Sequence, residues 1–381
     1  MDFNFKEEQL QFADALKRWA AKDYSFEERK KIVRSNSGVC ATAWSTLAEL
    51  GMTALPVPEE QGGFAGTAVD MLVVMQELGR ALVVEPYLAT VMGVQFLKLG
   101  GGHEALLERV ALGELKLACA LGEKQARHDL SDIATSATAQ AGGYLLNGVK
   151  TVVLHGGQAD TLVLSARSSG AQRGTDGVSL FVVAANAPGV VVLDYRTLDG
   201  QRAANITFDN VSVPASALLG LAGAGWDILD HAADYGATLL CAEALGAMEA
   251  IFAATLDYLK TRTQFGAPIG KFQALQHRMA DMYIHLEQAR SMAILAAVKM
   301  ASDDVQERRR TVSAAKYRVG QALKFVGQQA VQLHGGMGVT DELPAAHHFK
   351  RLTMIEATLG DADHHLQRFM AQPGFSSGHE A

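Results

Sequence analysis

Apolar and polar residues in the first third of the chain alternate at the period of amphipathic helices. Residues 7–21, 70–82 and 88–99 carry apolar side chains three or four positions apart, a spacing that places them on one face of a helix. Residues 44–51 end at a glycine, which commonly terminates helices. The pattern therefore predicts a helical domain over residues 1–115.

The middle of the chain has a strand-like pattern instead. Short runs of apolar and β-branched residues are bounded by turn-forming residues, and they fall at residues 117–121, 161–164, 178–183 and 189–193. The dipeptides Asn147-Gly148 and Gly156-Gly157 are predicted turns. The pattern predicts an antiparallel β domain over residues 116–224.

Helical periodicity returns from Gly225 onward, in longer segments. These segments are roughly residues 226–262, 273–302, 304–334 and 343–370. Apolar positions cover much of each segment's helical surface, which is typical of a bundle that packs on more than one side. We therefore predict a C-terminal helical domain over residues 225–381 and an α+β chain in the order helical, β, helical.

Composition and charge narrow the class of protein. The 381 residues are too many for one simple core, which agrees with several packed domains. The formal net charge of −7 disfavours a nucleic-acid partner. No window reaches the ~18 uninterrupted apolar residues of a membrane span. Residues 1–8 hold carboxylates and no apolar block, so we expect neither a signal peptide nor a transit peptide.

The cysteines indicate a reducing compartment and no metal site. Cys40, Cys119 and Cys241 are far apart, odd in number and without Cys-x-x-Cys spacing, so they form neither a disulfide framework nor a zinc site. We expect reduced core thiols and a cytoplasmic location.

A first candidate motif joins two of the predicted C-terminal helices. It runs Arg262-Thr-Gln-Phe-Gly-Ala-Pro-Ile-Gly-Lys-Phe-Gln, with a tight turn after Phe265-Gly266 and a new helix near Phe272. The planar donor fork of Arg262 suits a pyrophosphate. The alternative is a surface arginine and a buried phenylalanine at an ordinary helix hairpin.

A second candidate motif, Gln332-Leu-His-Gly-Gly-Met-Gly338, follows the next predicted helix. Glycines let the backbone approach a ligand closely, and free backbone N–H groups bind anions. The alternative is a plain glycine cap on the helix.

The two motifs lie 70 residues apart, behind an α-then-β chain, and together they resemble those of the acyl-CoA dehydrogenases. The resemblance implies an N-terminal helical domain, a middle β-barrel-like domain and a C-terminal four-helix domain. It also implies FAD and an oxidoreductase of fatty acid metabolism that acts on CH–CH groups. The implied assembly is a tetramer built as a dimer of dimers, and the implied electron acceptor is an electron-transfer flavoprotein.

The resemblance also assigns roles to individual residues. The residues implied to bind the pyrophosphate and adenine half of FAD, mainly the FAD of a neighbouring subunit, are Arg262, Gln264, Phe265, Phe272, Gln332, Gly335, Gly336 and Gly338.

The chain departs from the family pattern in the middle-domain motifs with which a subunit binds its own flavin ring. A Trp-Ile-Thr run two residues after the lysine matched by Lys150 is replaced here by residues 152–154 and His155. A Thr-Glu-Pro stretch with a following Gly-Ser-Asp is degraded in residues 121–129. His155 and His128 either substitute as flavin or acyl contacts or are loop histidines without a role.

The catalytic base is also altered. The family removes the α proton of the thioester with a glutamate, and counting back from Arg368 places Asp361 at that position. Its carboxylate is one methylene shorter, and a misplacement of about 1 Å can cost on the order of 100-fold in rate. Alternatively, Asp361 caps a helix, or Glu356 is the base. Some family members carry the base on an earlier helix. The matching position here is Gly236, and Asp234 lies two residues away.

The loss of the motifs that would hold the chain's own flavin ring suggests a hetero-oligomer, because the chain retains the motifs that would bind the FAD of a neighbouring subunit. Residues 85–90, 350–354 and 360–365 resemble the small subunit of pimeloyl-CoA dehydrogenase-type enzymes. This resemblance implies a large partner subunit and a CoA thioester of a dicarboxylic or bulky acyl group. We therefore expect flavin-dependent α,β-dehydrogenation of an acyl-CoA. The alternatives are a non-catalytic partner that donates FAD and interface contacts, and a homo-oligomer with empty flavin sites that binds CoA esters.

Overall fold

A computed structural model describes residues 5–373 of the chain. Its N-terminal helices are α1 (Glu7–Asp23), α2 (Phe26–Arg34), α3 (Ala41–Glu49), α4 (Ala68–Ala81), α5 (Tyr87–Gly100) and α6 (Glu104–Ala111). The helices predicted from periodicity correspond to α1, α3, α4 and α5. A capping box starts α4, where Thr67 and Asp70 satisfy each other's backbone N–H groups.

The middle of the chain forms a sheet of eight strands in the described residues. The strands are β1 (Leu117–Ala120), β2 (Ser136–Gln140), β3 (Gly143–Leu154), β4 (Thr161–Arg167), β5 (Val178–Ala184), β6 (Val190–Arg196), β7 (Arg202–Pro214) and β8 (Leu218–Leu219). The order is β6-β7-β3-β2-β4-β5-β8, and β1 also pairs with β4.

Two predictions about this sheet were wrong. The sheet is mixed, because β1 and β2 both pair with β4 in parallel. Asn147-Gly148 is a bulge inside β3 and not a turn. Gly148 has a φ of 153°, and a Cβ there would lie 2.4 Å from Thr135 Oγ1. Glycine at this position therefore serves close packing in a long strand.

The C-terminal part consists of helices and one small hairpin. These elements are α7 (Trp226–Thr261), β9 (Thr263–Gln264), β10 (Ala267–Pro268), α8 (Gln273–Lys299), α9 (Val305–His334), α10 (Pro344–Ala357) and α11 (Ala362–Met370). The predicted single helix over residues 343–370 is two helices, because Leu359 and Gly360 have φ values of 53° and 101°. Consecutive positive φ angles cannot continue a right-handed helix.

The described chain divides into two compact units. One unit, here called the helical unit, takes the described residues up to Lys30, Thr67–Val83 and those from Ala237 onward; the other takes Lys31–Gly66 and Val84–Gly236. The whole sheet lies in the second unit, where its core includes Leu146, Phe181 and Phe208. The domain boundaries at residues 115 and 224 remain predictions.

In the described part of the chain, α7 alone has the length and composition to cross a membrane, with a mean hydropathy of 1.6 over its most apolar window. Within the protein, 67% of that window is buried, as in a core helix of a globular protein. Its apolar surface is therefore used for internal packing.

Candidate functional site

The first motif begins where α7 ends. A two-residue turn, Phe265-Gly266, joins β9 to β10, with φ angles of 56° and 78°. Positive φ at both central residues is the geometry of a type I′ hairpin turn. Glycine adopts it freely, whereas a phenylalanine there is strained and its side chain is 91% exposed. The strained backbone and the exposed aromatic ring make Phe265 a candidate binding residue.

Arg262 is the cation of this hairpin. Its side chain is exposed, and within residues 5–373 its guanidinium has no hydrogen-bond or ion-pair partner. Its backbone is held on both sides, because its N–H donates to Tyr258 O and its carbonyl accepts from Ile269 N–H. The backbone is therefore fixed while the donor fork remains available for an anion. Gln264, also exposed, donates its side-chain amide to Thr263 O at 2.8 Å.

Phe272 is the N-cap residue of α8. Its ring meets that of Phe265 edge to face, with centroids 6.1 Å apart, a favourable aromatic geometry. Phe272 is 40% exposed, so the two rings form an accessible apolar surface next to Arg262.

The second motif follows the last turn of α9. Gly335 ends the helix with a φ of 60°, and residues Gly335–Val339 form a 3-10 helix. A Cβ at Gly335 or Gly336 would meet no atom within 4 Å, whereas at Gly338 it would lie 2.5 Å from Val331 O. Gly335 and Gly336 thus leave open space beside exposed Gln332, and Gly338 is required for close packing.

The fold brings the two motifs together through the rings of Tyr258 and His334. Tyr258 lies one helical turn before Arg262, and His334 directly precedes Gly335. Their ring centroids are 4.6 Å apart. Arg278 on α8 adds a hydrogen bond to Gln329 on α9 at 2.8 Å. One end of the helical unit therefore combines a guanidinium, two exposed aromatic rings and an open glycine turn, a donor set that fits the diphosphate and adenosine part of a dinucleotide.

The exposed residue near the end of β3 lacks the groups that would contact a flavin ring. Val152, in the left-handed region with a φ of 54°, is 55% exposed and offers neither an aromatic face nor a hydroxyl. His155 is buried, and its Nε2 lies 3.3 Å from Gln201 Oε1. The structure therefore favours a packing role for His155, while His128 is half-buried.

Lys150 and Glu123 form a buried ion pair that sequence reasoning missed. Lys150 Nζ lies 2.7 Å from Glu123 Oε1 and also donates to Leu121 O and Ser165 Oγ. Burial lowers the pKa of Lys150 to about 8, partly offset by Glu123. Burial acts to raise the pKa of Glu123, but the Lys150 charge and hydrogen bonds outweigh it and lower that pKa to about 2. The degraded segment 121–129 thus retains a carboxylate that holds β3 in place.

Asp361 caps α11, as the helix-cap alternative anticipated. One of its carboxylate oxygens accepts from His364 N–H at 2.8 Å, and its side chain is half-buried. A carboxylate offers about four acceptor positions, so capping does not exclude a role as base. Glu356 is engaged elsewhere: its Oε1 accepts from Ala362 N–H and pairs with Lys324 at 2.7 Å.

Lys316 on α9 was also missed. It is almost fully buried, and its Nζ donates to the carbonyls of Ile355, Glu356 and Gly360 at 2.8 to 3.0 Å. Lys316 lies at the buried phase of the α9 pattern, with Val312, Ala315 and Val319. A lysine in phase with apolar residues is the observation by which the sequence could have revealed it.

Neither metal ligands nor thiols form a second functional site within the described residues. No group of three or more His, Cys, Asp or Glu side chains in residues 5–373 could hold a metal ion. Cys241 is buried, Cys40 and Cys119 are half-buried, and all three are free. Burial raises the pKa of Cys119 and Cys241 to about 12, so neither thiol is reactive at neutral pH.

Comparison with family models identifies three consecutive matches. They are the N-terminal domain of acyl-CoA dehydrogenases over residues 6–108, the middle domain over 118–211 and the C-terminal domain over 223–372. Among curated proteins, the chain is 32% identical to an acyl-CoA dehydrogenase of Bacillus subtilis, over 77% of this chain and 79% of the relative.

Solved structures support the same likeness. The ChsE4-ChsE5 complex from Mycobacterium tuberculosis matches with a TM-score of 0.87 and 26% identity, covering 97% of each chain. An FAD complex of PigA matches with a TM-score of 0.90 and 26% identity, covering 98% of this chain and all of the other.

Proposed function

Because the chain belongs to the acyl-CoA dehydrogenase family, whose members are oxidoreductases acting on CH–CH groups, we propose that it is one subunit of an FAD-dependent acyl-CoA dehydrogenase. The proposed reaction forms a double bond between Cα and Cβ of a CoA thioester. The observation that carries the proposal is the contact between the rings of Tyr258 and His334, which brings the 335–338 turn to the same end of the helical unit as the Arg262 hairpin.

In the proposed complex, bound FAD supplies a hydride acceptor for the Cβ position. Arg262 binds the diphosphate through charge-assisted hydrogen bonds, and Phe265 and Phe272 cover an apolar face of the nucleotide. The open backbone at Gly335 and Gly336 admits the ligand closely. Asp361, at the start of α11, takes the α proton of the thioester as general base.

We propose further that the oligomer is mixed, with FAD bound between this chain and a larger partner subunit. The side chains proposed to bind the pyrophosphate are exposed here, whereas Val152, the exposed residue near the end of β3, offers a flavin ring neither an aromatic face nor a hydroxyl. Such a subunit is better suited to bind the pyrophosphate of a neighbouring subunit's FAD than to hold a flavin ring of its own. The similarity to a chain of the two-component ChsE4-ChsE5 complex agrees with such an assembly.

The proposed substrate is a CoA thioester of a dicarboxylic or bulky acyl group, as in pimeloyl-CoA dehydrogenase-type enzymes. The proposed electron acceptor is an electron-transfer flavoprotein, and the proposed location is the cytoplasm.

A second candidate function is a non-catalytic subunit that donates only FAD and interface contacts. The capping bond from His364 N–H to Asp361 favours it, because a helix cap alone accounts for an aspartate at that position. In this case the partner subunit would supply the base.

The flavin content of the protein purified with its natural partners tests the proposal. About half an FAD per acyl-CoA dehydrogenase chain is expected for the mixed complex. One FAD per chain would indicate an ordinary homo-oligomer, and none would contradict the flavoenzyme. Reduction of bound flavin by acyl-CoA, followed as bleaching of its visible absorbance, then tests the dehydrogenation itself.

A further inference from the structure

One face of α9 is directed at the connection between α10 and α11. Its residues, at helical spacing, are Ser313, Lys316, Gly320 and Lys324. Ser313 accepts from Arg368 on α11, and Lys324 pairs with Glu356 on α10. A Cβ at Gly320 would approach Ala362 Cβ to 3.3 Å. This face therefore contacts both helices that flank residues 358–361.

Residues 358–361, here called the Asp361 turn, have an unusual backbone. Leu359 and Gly360 both have positive φ angles, and Leu359 is not a glycine. A non-glycine residue in the left-handed region costs free energy and persists only where its surroundings hold it. His365 contributes one restraint, because its Nε2 lies 2.8 Å from Leu359 O.

Lys316 supplies the restraint that spans the Asp361 turn. Its ammonium donates to Ile355 O and Glu356 O before the turn and to Gly360 O within it. An ammonium has three donors, and all three have carbonyl acceptors here. Leaving a buried charge unpaired is costly, so any movement of the turn that breaks one of these bonds is opposed.

We propose that Lys316 is a positioning residue: its ammonium holds the Asp361 turn and thereby places the Asp361 carboxylate for proton removal. This inference rests on the proposed function, in which Asp361 is the base. A base that is displaced by about 1 Å can lose on the order of 100-fold in rate. A side chain that fixes the backbone next to the carboxylate therefore controls the reaction without touching the substrate.

Lys316→Met tests the proposal, because it removes the ammonium and keeps a long apolar side chain. The matched control is Lys324→Met on the same helix face; the Lys324 side chain is 53% exposed and pairs with the Glu356 side chain. Lys316→Gln, which keeps two donors, is the second variant in case the methionine variant does not fold.

The first measurement is hydrogen exchange of the turn amides in the purified complex. The reporters are the N–H groups of Thr358, His364 and His365, which are hydrogen-bonded in the structure. We expect exchange about tenfold faster or more in Lys316→Met, intermediate in Lys316→Gln and close to wild type in Lys324→Met. Wild-type exchange in both Lys316 variants would overturn the proposal, whatever the activity.

The second measurement is the rate of flavin reduction per bound FAD, with ordinary and α-deuterated acyl-CoA. We expect Lys316→Met to slow reduction by about 10- to 100-fold, with an undiminished isotope effect and unchanged acyl-CoA binding. An unchanged rate per bound FAD would overturn the positioning role. Asp361→Asn, measured alongside, distinguishes a failure of the proposed base from a failure of the positioning role of Lys316. Full activity of Asp361→Asn contradicts the proposed base, whereas a fully active Lys316→Met beside an inactive Asp361→Asn contradicts this inference alone.

Discussion

The imidazole of His334 lies against the phenol ring of Tyr258, with centroids 4.6 Å apart and planes inclined by 31°. Tyr258 is on the last turns of α7 and His334 is the last residue of α9. The contact connects two motifs that are distant in sequence, and it places the Gly335 turn beside the Arg262 hairpin.

Removing this ring contact is expected to weaken FAD binding without altering any residue that contacts FAD in the proposal. Aromatic pairs contribute about 0.5–1.5 kcal/mol, which corresponds to roughly a two- to tenfold change in affinity. Tyr258→Ala should show that loss by titration of the apo complex with FAD, and Tyr258→Phe, which keeps a ring, should not. Equal FAD affinities for Tyr258→Ala and wild type would show that the ring contact does not contribute to FAD binding.

Arg262→Ala is expected to lower FAD affinity by about 10- to 100-fold, because a hydrogen bond to a charged group is worth about 1.5–3 kcal/mol. Arg262→Lys should recover only part of this loss, since an ammonium lacks the planar fork. Arg310→Ala, an exposed arginine at the start of α9, is the control. Retention of wild-type FAD affinity in Arg262→Ala would remove the main support for the binding site.

Asp361→Asn separates the capping role of Asp361 from its proposed catalytic role. Asparagine caps helices about as well as aspartate, so thermal stability should be nearly unchanged. Loss of the general base should lower turnover by about 10²- to 10⁴-fold. Asp361→Ala should lose the same activity and also about 1 kcal/mol of stability. An active, stable Asn variant would instead support the non-catalytic subunit.

Gly246→Ala is expected to destabilise the helical unit severely. A Cβ at Gly246 on α7 would lie 1.7 Å from Gln76 O on α4, and one at Gly79 would lie 2.1 Å from Glu243 O. Overpacking typically costs about 1–3 kcal/mol, and more where backbone is in the way. Denaturant unfolding should show a loss of about 3 kcal/mol or more. Gly336→Ala, in open space, should stay within about 0.5 kcal/mol of wild type.

Acid is expected to destabilise the protein through two buried histidines. Burial is the main cause that lowers the pKa of His348 to about 3 and of His365 to about 2. Their unfolded pKa is near 6.5, so between about pH 6.5 and these values the unfolded chain binds more protons. Stability contributed by the neutral rings is therefore present above pH 6.5 and falls as pH drops, by up to about 1.4 kcal/mol per pH unit for each ring.

Unfolding free energies measured at pH 7.5 and 5.5 test this expectation. The pH dependence should be smaller in His365→Gln and His348→Gln than in wild type. His277→Gln, which alters an exposed histidine, should leave it unchanged. A wild-type dependence in both buried variants would show that other groups cause the acid sensitivity.

The order of elements could be predicted because it depends on local patterns. The 3.6-residue period of α1, α4 and α5 and the strand-like runs at β1, β4 and β5 are visible along the chain. The exposed Arg262 and the glycines after α9 were also recognisable as motifs. Strands β2, β3 and β7 were not predicted, since their alternation is interrupted by polar residues and by bulges in the β3–β7 pairing.

The sequence by itself determined the α, β, α order, the family and the residue types available for a nucleotide. Only the tertiary structure decided which of these residues meet: Tyr258 with His334, Lys150 with Glu123, and Lys316 with the Asp361 turn. Periodicity indicates which face of an element is buried but does not specify the partner element, which depends on packing between distant segments. For the same reason the apolar phase of α9 can indicate that Lys316 is buried, but it does not specify the three carbonyls that accept from its ammonium.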